Sequence, residues 1–83
     1  MFKRYDELKK GDKIWFYGYK AFVRDIKENG IVNDKNNIEH LGEKIFALNI
    51  GFEPSTDGIE KTIYNSNSFN YGGVASRTVG MRE

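Results

Sequence analysis

Three arginines occupy stretches suited to gripping phosphate: Arg24 in GYKAFVRDI, and Arg77 and Arg82 in SRTVGMRE near the carboxyl end. A guanidinium offers a planar fork of donors that meets two phosphate oxygens at once, which a lysine point charge does not. Ser76 and Thr78 flank Arg77 with hydroxyls that donate to the same kind of oxygen. On a regular strand these two alternate to the face opposite Arg77, whereas on a loop all three converge on one ligand. Just upstream, Phe69 and Tyr71 supply flat rings, and Asn70 supplies an amide that both donates and accepts, as do Asn65 and Asn67. Tyr19 adds a ring from the amino-terminal half, in the run KIWFYGY, where period-two alternation puts Trp15, Tyr17 and Tyr19 on one face and Phe16 on the other. One of those faces must be core, so the other exposes aromatic rings, on which nucleobases stack. The competing account assigns the rings to packing and the hydroxyls to its rim.

The remaining reactive side chains do not assemble a catalytic set. His40 is the single histidine, and a lone base needs a nucleophile and an orienting partner. There is no cysteine and no paired-histidine spacing, so no metal site is expected. Asp34-Lys35-Asn36-Asn37 resembles half of a calcium loop but lacks its glycine and closing glutamate, and reads as a polar turn. Gly72-Gly73 is not followed by Lys-Ser or Lys-Thr, so the phosphate loop of nucleotide hydrolases is missing. The expectation is a binding protein without catalytic residues or cofactor.

Those candidate groups must be positioned by a small frame. The 83 residues are expected to form one domain, 1–83. A chain of this size buries roughly 60% of its unfolded surface, leaving little stability in reserve. Thirteen basic against twelve acidic side chains leave a charge of +1, which weakens the case for a nucleic-acid partner. The cations Lys3, Arg4, Lys9, Lys10 and Lys13 nonetheless crowd the first turns, diluted by Asp6, Glu7 and Asp12. No apolar run is long enough for a bilayer and none marks a secretory leader, so a soluble, cytoplasmic protein without membrane contact is expected. Abundant lysine, asparagine and isoleucine match the usage of AT-rich bacterial or phage genomes.

The pattern along the chain is all-β, with one short helical turn at Tyr5–Leu8. Lys9-Lys10-Gly11-Asp12 reads as a turn. Lys13–Tyr19 and Lys20–Glu28 read as strands, the second with Phe22, Arg24 and Ile26 on one side. Asn29-Gly30 has the chemistry of a tight turn. Ile31-Val32 and Ile38–Leu41 are short runs, Lys44–Ile50 a strand, and Ile59–Asn65 alternates with Ile63 on one face and Tyr64 on the other. A last strand is expected over Val74–Val79. Five to six short strands at such spacing predict a small barrel, whose closure hides sheet edges. The opening Leu8-Lys9-Lys10-Gly11-Asp12-Lys13-Ile14, followed by strand, glycine and strand, resembles the start of SH3-like barrels.

Size, β-rich pattern and the stretches SRTVGMRE and GYKAFVRDI together resemble the small viral sponge proteins that sequester cyclic nucleotide immune signals and so block anti-phage defence. The resemblance implies cyclic dinucleotide binding without cleavage, in the host cytoplasm, by a homo-oligomer whose protomers share the pocket. Two alternatives stay open: a small barrel that binds nucleic acid, and a protein-interaction module that inhibits a host enzyme through its aromatic face.

Overall fold

In a computed structural model, the structure describes residues 1–53, 59–68 and 77–83. These residues are strand-rich, with two short 3-10 turns and no α-helix among them. Six strands follow one another: β1 (Phe2–Arg4), β2 (Lys13–Phe16), β3 (Tyr19–Ile31), β4 (Lys44–Phe52), β5 (Glu60–Ser66) and β6 (Thr78–Gly80). Strands β2, β3, β4 and β5 form an antiparallel meander that curls into half a barrel, while β1 and β6 pair with each other. A single antiparallel bridge, Ile14 to Met81, and a backbone bond from Arg82 N to Lys13 O attach β6 to β2.

The curl depends on irregularities in β3, which spans 13 residues. Its pairing with β4 slips between Val23 and Asp25 and again between Glu28 and Gly30, leaving Arg24 and Asn29 as bulge residues. Each bulge sharpens the local twist and bends the strand. The first also resets the alternation. Val23 is buried, Arg24 and Asp25 both face solvent, and Ile26 packs against the core. The expected grouping of Phe22, Arg24 and Ile26 on one side is therefore corrected, because one inserted residue flips every side chain beyond it. The expected turn at Asn29-Gly30 is corrected for the same reason: Gly30, with φ of +154°, lies inside the strand beside a bulge.

The hairpin turn sits instead at Tyr17-Gly18, so KIWFYGY is not one strand. Phe16 pairs with Tyr19, and the two residues between them have φ of +49° and +82°. Positive φ at both positions is what a type I′ connection requires, and its twist matches that of the flanking strands.

Ile14, Ala21, Val23, Leu48, Ile50, Ile63 and Val79 fill the inside of the curl, joined by Tyr5 and Leu8 from the amino-terminal segment. The helical turn expected at Tyr5–Leu8 is a 3-10 turn at Tyr5–Glu7, and Lys9–Asp12 is a turn whose Asp12 carboxylate accepts from Lys9 N at 3.0 Å. Tyr5 is the peg between the two sheet edges. Its ring is buried, its hydroxyl accepts from Asn65 Nδ2 at 2.9 Å, and its backbone N donates to Asn67 Oδ1 at 2.9 Å. Side-chain bonds, rather than a ladder, thus draw the β1 edge towards the β5 edge at one end of the curl. Asn65 and Asn67, read from sequence as ligand amides, serve this frame.

On the outer face, Phe22 pairs across to Gly51, and a β-carbon on Gly51 would lie 2.5 Å from the Phe22 ring. The absence of that carbon lets the ring lie down on β4.

Candidate functional site

The tip of the β2–β3 hairpin collects rings. It brings Phe16, Tyr17 and Tyr19 to the end of β4, where Phe52 completes a cluster. Phe16 stands edge-on to Tyr17 at 4.9 Å and to Phe52 at 5.8 Å, and Tyr19 stands edge-on to Phe52 at 6.5 Å. Edge-to-face contact at these separations suits the quadrupoles of the rings. The Lys61 ammonium, from β5, lies 5.5 Å from the centre of Phe16. Tyr17 and Tyr19 are 69% and 67% exposed, so most of their surface is offered to solvent.

The strand β6 enters beside β2. The Ile14–Met81 bridge brings Gly80 next to Trp15, and Thr78 and Tyr17 line the same hollow. The separation of 3.9 Å between the Trp15 β-carbon and the place a Gly80 β-carbon would take agrees with that placement. Arg77, exposed, immediately precedes Thr78, which pairs with Arg4 in the β1–β6 ladder.

Between these elements the described residues line a half-open cavity of about 440 Å³. Tyr5, Ile14, Leu48, Ile63 and Val79 line it from the core, and Trp15, Phe16, Tyr17, Thr78 and Met81 line it further out. A volume of this order falls in the range of small-molecule sites, which are mostly apolar with a few placed polar groups. A second concavity of about 510 Å³ lies on the outer face, lined by Trp15, Lys20, Met81, Arg82 and Glu83. Trp15 and Met81 border both.

The candidate residues from sequence are distributed unevenly over this arrangement. Thr78 is half-buried in the cavity wall, Tyr19 stands with Phe52 in the aromatic cluster, and Arg77 is exposed just before Thr78; no hydrogen bond or ring contact joins the three. Arg24 lies on the outer sheet face, its Nε 3.2 Å from Glu60 Oε2. Phe69, Asn70, Tyr71 and Ser76 lie outside the described residues, as does most of the expected strand Val74–Val79. Arg77 and Thr78 do not settle into one regular strand: Arg77 is in a bend and Thr78 begins β6.

Arg82 has a different occupation. Its side chain is only 9% exposed, and it reaches back over β2. Nε donates to Ile14 O at 3.0 Å, one terminal nitrogen donates to Ala21 O at 2.8 Å, and both terminal nitrogens meet the Glu53 carboxylate at 3.0 and 3.2 Å. The guanidinium also lies 6.0 Å from the Trp15 ring centre. One side chain thereby ties the carboxyl end to β2, β3 and the residue after β4. The hydrogen bond from Arg82 holds the Glu53 carboxyl below its ordinary value, with the nearby charges of Arg82, Lys13 and Lys20 assisting.

Tyr17, Phe16, Phe52 and Lys61 are the site residues that sequence reading did not select, although Tyr17 and Phe16 were seen as strand residues. The usable signal was the Tyr-Gly pair between two β-type runs. Among the described residues, no cluster of three or more acidic or histidine side chains is placed to hold a metal ion, and no helix is long and apolar enough to cross a membrane. No family model, curated protein or solved structure matches this chain.

Proposed function

We propose that this chain is a non-catalytic binding protein for a nucleotide, with a cyclic dinucleotide as the favoured ligand. The supporting observation is a largely apolar hollow of about 440 Å³ bordered by the rings of Trp15, Phe16 and Tyr17, with the Lys61 ammonium 5.5 Å from the Phe16 ring and the exposed Arg77 next in sequence to the wall residue Thr78. Rings take the flat bases and the two cations take the phosphates, a division of labour in which each base–ring stack contributes ~1–3 kcal/mol. The Thr78 hydroxyl in the wall supplies a neutral donor beside Arg77. No step of bond breaking is assigned to these groups. The protein holds its guest and leaves it intact, as a sponge for a signalling nucleotide does, and a homo-oligomeric, phage-encoded protein acting in the host cytoplasm is the corresponding biological setting. The frame that carries the site is an SH3-like barrel of six strands. In support, the β1–β6 pair returns beside β2, the first strand of the β2-to-β5 meander, through the Ile14–Met81 bridge.

A thermal-shift screen tests the reading. A cyclic dinucleotide at about a hundred times its dissociation constant adds ~2.7 kcal/mol, which raises the melting temperature of a domain this size by roughly 10–20 °C. Arg77→Ala removes that shift while leaving the melting temperature of the free protein unchanged, and ligand released from the complex by boiling is chemically intact. A cleaved product, or no shift with any nucleotide, contradicts the proposal.

The second concavity favours one other reading. Trp15 belongs to both hollows, and Lys20 and Arg82 border the outer one, so a single nucleic-acid strand has a continuous path over the hairpin. A binding constant for an oligonucleotide that falls steeply with salt supports this alternative, since counterion release dominates such complexes.

A further inference from the structure

Tyr17 sits in a backbone conformation that its own side chain opposes. Its φ of +49° is the only positive value on a non-glycine residue among those described. In the left-handed region the β-carbon of an L-residue crowds the following carbonyl oxygen, which is why Gly, Asn and Asp fill the first position of type I′ turns. The sequence supplies glycine at the second position, Gly18, and a bulky aromatic at the first. Burial does not account for this choice, because Tyr17 is 69% exposed and its ring meets the edge of Phe16 at 4.9 Å. What the ring does border is the cavity, together with Trp15 and Thr78. Residues held in sparsely populated conformations cluster at binding sites, where the strain is offset by what the side chain does there.

We infer that Tyr17 is the ligand-stacking residue of this site: a ring held out at the hairpin tip, at a cost in fold stability, to close over one nucleobase at the cavity mouth. The inference rests on the nucleotide-binding reading and adds to it a named residue and a trade between stability and affinity. Phe16, itself edge-on to Phe52, meets the ring from one side, and Lys61, 5.5 Å from the Phe16 ring centre, places a cation near the base that Tyr17 would cover. A purine or pyrimidine sandwiched there meets a π-face whichever base it is, so Tyr17 contributes affinity without choosing the base.

The test is a set of three proteins, wild type, Tyr17→Asn and Tyr17→Phe, titrated with cyclic di-AMP, cyclic di-GMP and AMP and melted without ligand. Asparagine tolerates the turn geometry, so Tyr17→Asn melts at the wild-type temperature or a few degrees above it (about 2–5 °C). Its affinity for the best of the three probes falls roughly ten- to a hundredfold, the loss of one stacked base. Tyr17→Phe keeps the ring and binds within about threefold of wild type. A Tyr17→Asn protein that binds as tightly as wild type, or that melts well below it, overturns the assignment of Tyr17 and leaves the nucleotide site standing. A wild-type protein that binds none of the three probes overturns the site and the assignment together.

Discussion

Replacing Arg82 with alanine separates a frame residue from a ligand residue. The side chain is 9% exposed and donates to two backbone carbonyls, Ile14 O and Ala21 O. Hydrogen bonds from a charged donor are each worth about 1.5–3 kcal/mol. Some of that returns when water reaches the vacated carbonyls, so about 2–4 kcal/mol is the expected loss. The Glu53 pair is left out of this figure because that carboxylate is open to solvent and screened. Against a total stability of ~4–12 kcal/mol for 83 residues, the loss is large. Urea denaturation followed by the fluorescence of the single tryptophan, Trp15, reads it directly, and a parallel thermal melt falls by roughly 10–30 °C. Arg82→Lys recovers little, since an ammonium cannot span both carbonyls and the carboxylate. Acid has a smaller effect on the wild type through Glu53. Its folded value is depressed below 4.5, so its contribution is complete above that pH and is lost as the pH falls through the lower folded value. Glu53→Gln removes that acid dependence. An Arg82→Ala protein within about 0.5 kcal/mol of wild type that nevertheless fails to bind nucleotide would refute the reasoning and return Arg82 to the ligand.

Two further substitutions probe the frame. Burial raises the Tyr5 hydroxyl from 10.0 to about 12, so stability is complete below pH 10 and declines by about 2 kcal/mol as the pH rises through 12. Tyr5→Phe costs about 1–2 kcal/mol at neutral pH, because Asn65 Nδ2 loses this acceptor, and flattens the alkaline decline; equal alkaline slopes in the two proteins would count against the peg. Gly51→Ala drives a β-carbon into the Phe22 ring and costs about 1–3 kcal/mol. In a Phe22→Ala background the same change costs much less, and additive losses in the double mutant would show that the ring does not rest on Gly51.

What was legible in the chain follows from what each pattern reports. Lys44–Ile50 read correctly as a strand from its length and flanking glycines, its pattern alone suiting helix as well, and Ile59–Asn65 from its alternation; β4 and β5 supply Leu48, Ile50 and Ile63 to the core. The two turns were exchanged because local chemistry is shared. Asn-Gly suits a bulge as well as a turn, and only pairing with β4 over the whole of β3 selects the bulge. Tyr17 was hidden for the opposite reason, since an aromatic in the left-handed region contradicts its own propensity. The partners of Arg82 and of Asn65 lie about sixty residues away in sequence, so their structural use could not be read from neighbours. Residue types suited to nucleotide were visible, whereas the approach of Thr78 and Met81 to the hollow lined by Trp15 and Tyr17 depends on the β6 return beside β2.

Trp15 is both the sole tryptophan and a wall of the cavity, so its emission reports occupancy without a label. Titration of the unmodified protein with cyclic di-AMP and cyclic di-GMP is predicted to quench that emission saturably with at least one of them, and Arg77→Ala is predicted to shift the curve to higher concentration. Emission that stays flat with both ligands, while the protein remains folded, would contradict the account.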